Sequence, residues 1–273
     1  MSTTPPLIQN PWIACAAAFG AFLLLFASLQ AYARSGRAPA EITRKLLHTG
    51  SGALTLTFPF LFRDLWPVLL LTGASAALLA AVKFLPSLRS RLGCVANGVE
   101  RPTLGELYFP MSVALLFWLT QHDQPLLFVV PVLMLTLADA ACALVGRRYG
   151  LTRYIGSEKS LEGSVAFLVL AFFCVHVPLL LWSGVGGAQS LLIAITLALL
   201  VMLLEAGAGR GLDNLFVPIG SYVLLDVYLG LDRAALVGRL LMTAALVCAF
   251  VLSRTRTMWS ARPFDAHPEP VEG

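Results

Sequence analysis

The chain has 273 residues, of which 58% are hydrophobic and only 12% charged. A soluble domain carries about 25% charged residues, so composition excludes a water-soluble fold of this size. The formal net charge of +4 says little by itself; no nucleic-acid partner is expected, and the distribution of charge carries more information than its sum.

Apolar runs recur from end to end, each about long enough to cross a bilayer. In chain order they predict nine spans: Trp12–Tyr32, His48–Phe62, Leu65–Leu85, Leu104–Thr120, Pro125–Gly146, Glu162–Trp182, Ala188–Ala206, Leu215–Gly230 and Ala234–Leu252. The first lacks a positively charged start and is too long for a signal core, so it reads as a retained span. The second and eighth are short and contain Pro59 and Pro218. The expected fold is therefore all-α: a polytopic transmembrane helical bundle forming a single domain over residues 1–260. A disordered tail rich in Pro and Glu is expected over residues 261–273.

The loops test this count. Arg34, Arg37, Arg44 and Lys45 follow the first span; Lys83, Arg89, Arg91 and Arg101 follow the third; Arg147, Arg148, Arg153 and Lys159 follow the fifth. Arg210 follows the seventh, and Arg254, Arg256 and Arg262 follow the ninth. Alternate loops thus hold 16 of the 19 basic residues. By the positive-inside rule, the N-terminus lies outside and the C-terminus in the cytoplasm. The expected location is the cell (inner) membrane. Cys15, Cys94, Cys142, Cys174 and Cys248 show no CxxC or Cys/His ligand spacing, so neither a structural zinc site nor a disulfide framework is expected.

Charge inside or beside a span is costly and needs a reason. His48, with Arg44 and Lys45 three to four residues before it, stands at the start of the second span. It reads as a general base for an alcohol or as an interfacial histidine. Glu106 begins the fourth span. In the fifth, Asp139, Ala143, Gly146 and Gly150 share one helical face. Three of these four are small, which admits either a ligand or a second helix close to the backbone. Next, Gly156 to Ser164 is a polar loop running into a helix start. Ser160 is its expected N-cap, Lys159 supplies a point charge for phosphate, and Glu162 and Gly163 follow. The Walker A spacing is absent. Finally, Glu205 closes the seventh span, glycines 207, 209 and 211 make a connector, and Asp213 and Asn214 follow. Carboxylates and cations thus gather at one membrane face, the mixture that a magnesium–triphosphate site requires.

Taken together, these segments resemble the nucleotide-binding signature of the dolichol kinase and phytol kinase family. The resemblance runs from about Glu41 to Gly220. It rests on Arg44-Lys45 with His48, Gly105-Glu106, Asp139 to Gly150, Lys159-Ser160-Leu161-Glu162-Gly163, and Glu205 with Asp213-Asn214. It implies a polytopic membrane enzyme that phosphorylates a lipid alcohol with CTP. On that reading Asp139, Glu205 and Asp213 hold Mg2+. Ala143, Gly146, Gly150, Lys159, Ser160, Glu162 and Gly163 bind nucleotide, and Arg44, Lys45 and His48 join Asp139 and Lys159 in catalysis. Glu106 and Asn214 support the site. Phosphatidate cytidylyltransferases are a second CTP-using class, but their late Pro-Gly-His-Gly-Gly stretch is replaced here by Gly211-Leu212-Asp213-Asn214. A transporter would instead set its polar groups near mid-membrane. The lipid, its tail length and the oligomeric state are not legible in the sequence.

Overall fold

A segment in hydrocarbon must satisfy its own backbone N–H and C=O groups, and the apolar runs do so as helices. The structure, a computed structural model, describes residues 6–35, 40–85, 87–88, 104–120, 124–157, 159–209 and 211–257. Arg37, Arg89, Arg91, Cys94, Arg101, His122, Arg210, Arg262 and His267, and the tail expected over 261–273, lie outside the described residues. The helices are α1 (Pro11–Arg34), α2 (Ala40–Thr55), α3 (Phe58–Leu61), α4 (Leu65–Phe84) and α5 (Gly105–Thr120). After these come α6 (Pro125–Tyr149), α7 (Leu161–Trp182), α8 (Gly187–Gly207), α9 (Asp213–Leu229) and α10 (Arg233–Arg254).

Six of these, α1, α4, α6, α7, α8 and α10, are long and apolar enough to cross a membrane. The remaining three predicted spans are shorter than expected or begin elsewhere. Helix α5 has 16 residues and α9 has 17, or about 24–26 Å at 1.5 Å per residue, against a hydrocarbon core of about 30 Å. The second span, expected from His48 to Phe62, is instead a helix that starts at Ala40 and ends at Thr55. A turn at Leu56–Thr57 and the short α3 follow. Pro59 explains the break, because its ring cannot coexist with a continuous helix one turn earlier. His48 therefore lies in mid-helix rather than at a helix start, and Asp213 opens α9 rather than sitting in a loop.

The end of α4 and the start of α5, and the ends of α6 and α10, meet at one end of the bundle. Lys83 at the end of α4 meets Glu106 at the start of α5, and the Ile155 N–H after α6 bonds the Arg254 carbonyl of α10. At the opposite end, Trp12 of α1 contacts Trp66 of α4, and Gln189 of α8 donates to the Leu231 carbonyl. The largest core cluster joins α6, α7, α8 and α9 through Val130, Phe167, Ala171, Ala194, Ala198 and Val217. Its alanines let the backbones approach closely, as helix packing within membranes favours. Helix α10 is peripheral; Leu236 and Thr243 are buried on it, while Leu241 and Leu252 stand exposed.

The structure adds two short strands that the all-α reading did not contain. Strand β1 (Thr152–Tyr154) pairs antiparallel with β2 (Thr255–Thr257), with Arg153 opposite Arg256. Arg153 also bridges to Ser160, so this ribbon frames the loop that carries Lys159.

Candidate active site

Helix α6 is the backbone of the site. It contains one wide turn, a π-helical segment over Met134–Ala138, in which the Asp139 N–H reaches back to the Met134 carbonyl. Such a turn holds one residue too many, and it leaves carbonyls free for other partners. Helix α2 takes them: His48 Nε2 lies 3.1 Å from the Leu135 carbonyl and Thr49 Oγ1 lies 3.5 Å from that of Thr136. A carbonyl only accepts, so Nε2 carries the ring proton and Nδ1 is left as the basic atom of neutral His48. Gly52 of α2 rests on Thr136, where a Cβ would collide with the threonine side chain.

Seated in this way, α2 aims its cation at the acid after the wide turn. Lys45 Nζ donates to Asp139 Oδ2 at 2.7 Å, and His48 Nε2 lies 3.6 Å from the same oxygen. Both Lys45 and Asp139 are buried. Arg44, half-buried, precedes Lys45 on the helix. Helix α6 continues for ten residues beyond Asp139 to Tyr149, so the site is recessed by about 15 Å from the end of that helix.

Helices α8 and α9 supply the other acids. Glu205 lies in the last turn of α8 at 2% exposure, and Asp213 opens α9. Lys159 Nζ lies 2.6 Å from Glu205 Oε1 and 3.2 Å from Asp213 Oδ2, and it also donates to the Glu205 carbonyl. Burial opposes the charge on Lys159, but the carboxylates of Glu205 and Asp213 outweigh it and hold the ammonium above the ordinary lysine range. Asp139, Glu205 and Asp213 each offer an oxygen within 4.8 Å of the other two. Three carboxylates thus face two ammonium groups, and Glu205 Oε2 is buried without a hydrogen-bond partner. Hard oxygens at this separation, with one orphaned, fit a hard divalent cation such as magnesium.

The glycine-rich elements brace these groups. Ser160 caps α7 by accepting from the Gly163 N–H at 3.1 Å. A Cβ on Gly163 would stand 2.8 Å from the Cys142 carbonyl and 3.2 Å from the Gly146 Cα. The small face of α6 at Gly146 and Gly150 is therefore filled by the start of α7 and by Ser160, the helix-packing outcome of the two left open by the sequence. Ala143 is half-buried one turn beyond Asp139. Both oxygens of Glu162 accept the Thr152 N–H, at 3.0 and 3.3 Å, which ties β1 to α7.

Glu106 does not join the acid cluster; it pairs with Lys83 at 3.0 Å. Asn214 Nδ2 donates to the Gly105 carbonyl at 2.8 Å. Gly211, at φ +87°, presses on Gly105, with only 2.5 Å between its Cβ position and the Gly105 nitrogen. Gly105 is thus stapled to Gly211 and Asn214, which ties the start of α5 to the start of α9. Sequence reasoning missed Lys83 as the partner of Glu106. The available signal was opposite charge on the last turn of one helix and the first turn of the next.

No family model and no solved structure matches the chain. Among curated proteins, the phytol kinase of Synechocystis sp. is 34% identical over 226 residues, which is 79% of this chain and 91% of that protein. The dolichol kinase of Saccharomyces cerevisiae is 28% identical over 113 residues, 40% of this chain and 22% of its own length. The dolichol kinase EVAN of Arabidopsis thaliana is 32% identical over 123 residues, 42% of this chain and 21% of its own.

Proposed function

The chain belongs to the family of phytol and dolichol kinases and is a lipid-alcohol kinase, an integral membrane phosphotransferase; we propose that it transfers the terminal phosphoryl group of CTP to an isoprenoid or related alcohol. Phytol, farnesol and polyprenol- or dolichol-like alcohols are the candidate acceptors. The observation that carries this reading is the meeting of Asp139, Glu205 and Asp213, from three helices, within 4.8 Å of one another and against Lys45 and Lys159. We further propose nine crossings, with the N-terminus outside and the C-terminus and the site facing the cytoplasm at the cell (inner) membrane. The bias of 16 of 19 basic residues to alternate loops supports that polarity.

In this mechanism Asp139, Glu205 and Asp213 would hold the magnesium ion, which would supply neutralising charge to the phosphates. Lys159 turns from its carboxylates to the triphosphate, and the Ser160-capped start of α7 favours the same anion. Lys45, with Arg44 beside it, neutralises the phosphoryl group in transfer. The alcohol oxygen forms the new P–O bond as the bond from the terminal phosphorus to CDP breaks, and His48 Nδ1 takes the hydroxyl proton. A loose transition state asks little of the base, so positioning and electrostatics supply most of the acceleration.

The test is purified protein in lipid nanodiscs, supplied with magnesium, each of four nucleoside triphosphates and a panel of prenols. Lipid monophosphate and CDP are the expected products. Pyrophosphate with a CDP-linked lipid would overturn the kinase reaction in favour of cytidylyl transfer.

A further inference from the structure

An ammonium group carries three N–H donors, and that of Lys159 has three acceptors around it: Glu205 Oε1 at 2.6 Å, Asp213 Oδ2 at 3.2 Å and the Glu205 carbonyl. In this position the group is saturated and has no proton left for a phosphate oxygen. Two of those acceptors belong to the carboxylates that, with Asp139, meet within 4.8 Å. A magnesium ion binds its oxygens at about 2.0–2.1 Å. An ion held by Glu205 and Asp213 would therefore need oxygens and space that the Lys159 ammonium fills. Two cations so close in a buried site also repel, so one excludes the other.

Lys45 engages Asp139 Oδ2 in the same manner at 2.7 Å, but the two lysines differ in freedom. Lys45 stands on α2, and its side chain is 10% exposed; that of Lys159 is 20% exposed and projects from the loop before α7. The backbone of that loop is anchored. The Lys159 carbonyl accepts from the Tyr154 N–H at 3.1 Å, and the Lys159 N–H donates to Ser157 Oγ at 3.2 Å. The side chain is thus the moving part, a long stem on a fixed base, with the Ser160-capped start of α7 beside it. Glu205 Oε2, buried and without a hydrogen-bond partner, is the oxygen that an incoming ion meets unengaged.

Charge balance points the same way. Three carboxylates against two ammonium groups leave the cluster one negative charge. A divalent ion added with both lysines in place makes it positive, in surroundings where unbalanced charge is costly. An ion that arrives with a triphosphate brings its own compensation, and the displaced ammonium finds phosphate oxygens in place of carboxylates. We propose that Lys159 is an internal cation that holds the metal's place and yields it only to a metal–triphosphate, so that ion and nucleotide bind as one. The inference rests on the magnesium site proposed above and adds a regulation of that site. The ion alone binds weakly, because the lysine must first be moved, and the phosphates offset that cost.

The experiment titrates Mn2+ alone into the full chain in lipid nanodiscs, with free ion counted by electron paramagnetic resonance. Lys159→Met and Lys159→Gln remove the ammonium and keep most of the stem. Each should bind Mn2+ about tenfold or more tighter than wild type, the scale of coupling between sites. Adding Glu205→Gln to Lys159→Met should abolish that gain. Arg153→Met, at an exposed position on β1, should leave Mn2+ affinity nearly unchanged, because exposed charge is screened. Wild type supplies a measurement that does not depend on how any variant folds. Acetylation of Lys159 by an amine-reactive ester, read by mass spectrometry, should speed up several-fold at saturating Mn2+ without nucleotide, because the ion frees the amine. Equal Mn2+ affinity in wild type and the Lys159 variants, an equal gain in Arg153→Met, or unchanged Lys159 reactivity at saturating Mn2+ would overturn the exchange and leave the magnesium site standing. Absence of any Glu205-dependent Mn2+ binding would overturn both.

Discussion

Lys45 and Lys159 each neutralise carboxylates that could not otherwise be buried. Asp139, at 5% exposure, meets the Lys45 ammonium at 2.7 Å. Glu205 and Asp213 share Lys159. Asp139→Asn replaces an anionic metal-facing carboxylate with a neutral amide, and Lys159→Ala removes the triphosphate's cation. Each is expected to lower turnover by roughly a hundredfold or more, the scale for losing a preorganised electrostatic group. Phosphoryl transfer from labelled nucleotide measures this, with detergent-extracted yield as the check on folding; full activity in both variants would reject the site. Gly163 makes a different case. A methyl there meets the Cys142 carbonyl at 2.8 Å and the Gly146 Cα at 3.2 Å, and both obstacles are backbone and cannot rotate away. Gly163→Ala is expected to cost about 1–3 kcal/mol, as over-packing does, seen as a lower unfolding temperature.

At the scale of elements, the wide turn in α6 sets the direction of Asp139. One inserted residue turns all that follows it by about 100° relative to a regular helix. Deleting Leu137, which is 42% exposed and packs against little, should restore regular winding and swing Asp139 away from Lys45. Turnover is expected to fall as far as in Asp139→Asn, with the helical circular-dichroism signal unchanged; an active deletion variant would show that the turn is dispensable. This turn was not legible in the sequence, because no composition distinguishes five π-helical residues from five α-helical ones. Nor was the start of α2. Its first turns carry Thr43, Arg44 and Lys45, so an apolar scan reaches the helix only where these end. Helices α7 and α8 are the contrary case. Their runs are uniformly apolar, and the expected limits Glu162–Trp182 and Ala188–Ala206 fall within a residue of Leu161–Trp182 and Gly187–Gly207.

Among the described residues the acid–lysine cluster lies towards one end of the bundle, and the bias of basic residues to alternate loops pointed to that end before any helix was built. The sequence revealed less about partners. Asp139, Glu205 and Asp213 drew notice as costly charges, but that Lys83 answers Glu106 and Asn214 answers Gly105 depends on contacts across 23 and 109 residues. The proposed polarity makes a further prediction. In a cysteine-free background, Asp64→Cys and Asp232→Cys, both exposed at the end opposite the cluster, should react with an impermeant maleimide added outside sealed right-side-out vesicles. Arg148→Cys and Leu151→Cys should react only after permeabilisation. The reverse pattern would invert the protein in its membrane.

The pairing of β1 with β2 has a consequence for how the enzyme matures. The ribosome makes Thr255–Thr257 roughly a hundred residues after Lys159, yet the two segments frame one loop. A nascent chain can therefore insert most of its helices while that lysine still wants one flanking strand. The frame around Lys159 is therefore completed only when the end of α10 has been made and has returned to the ribbon.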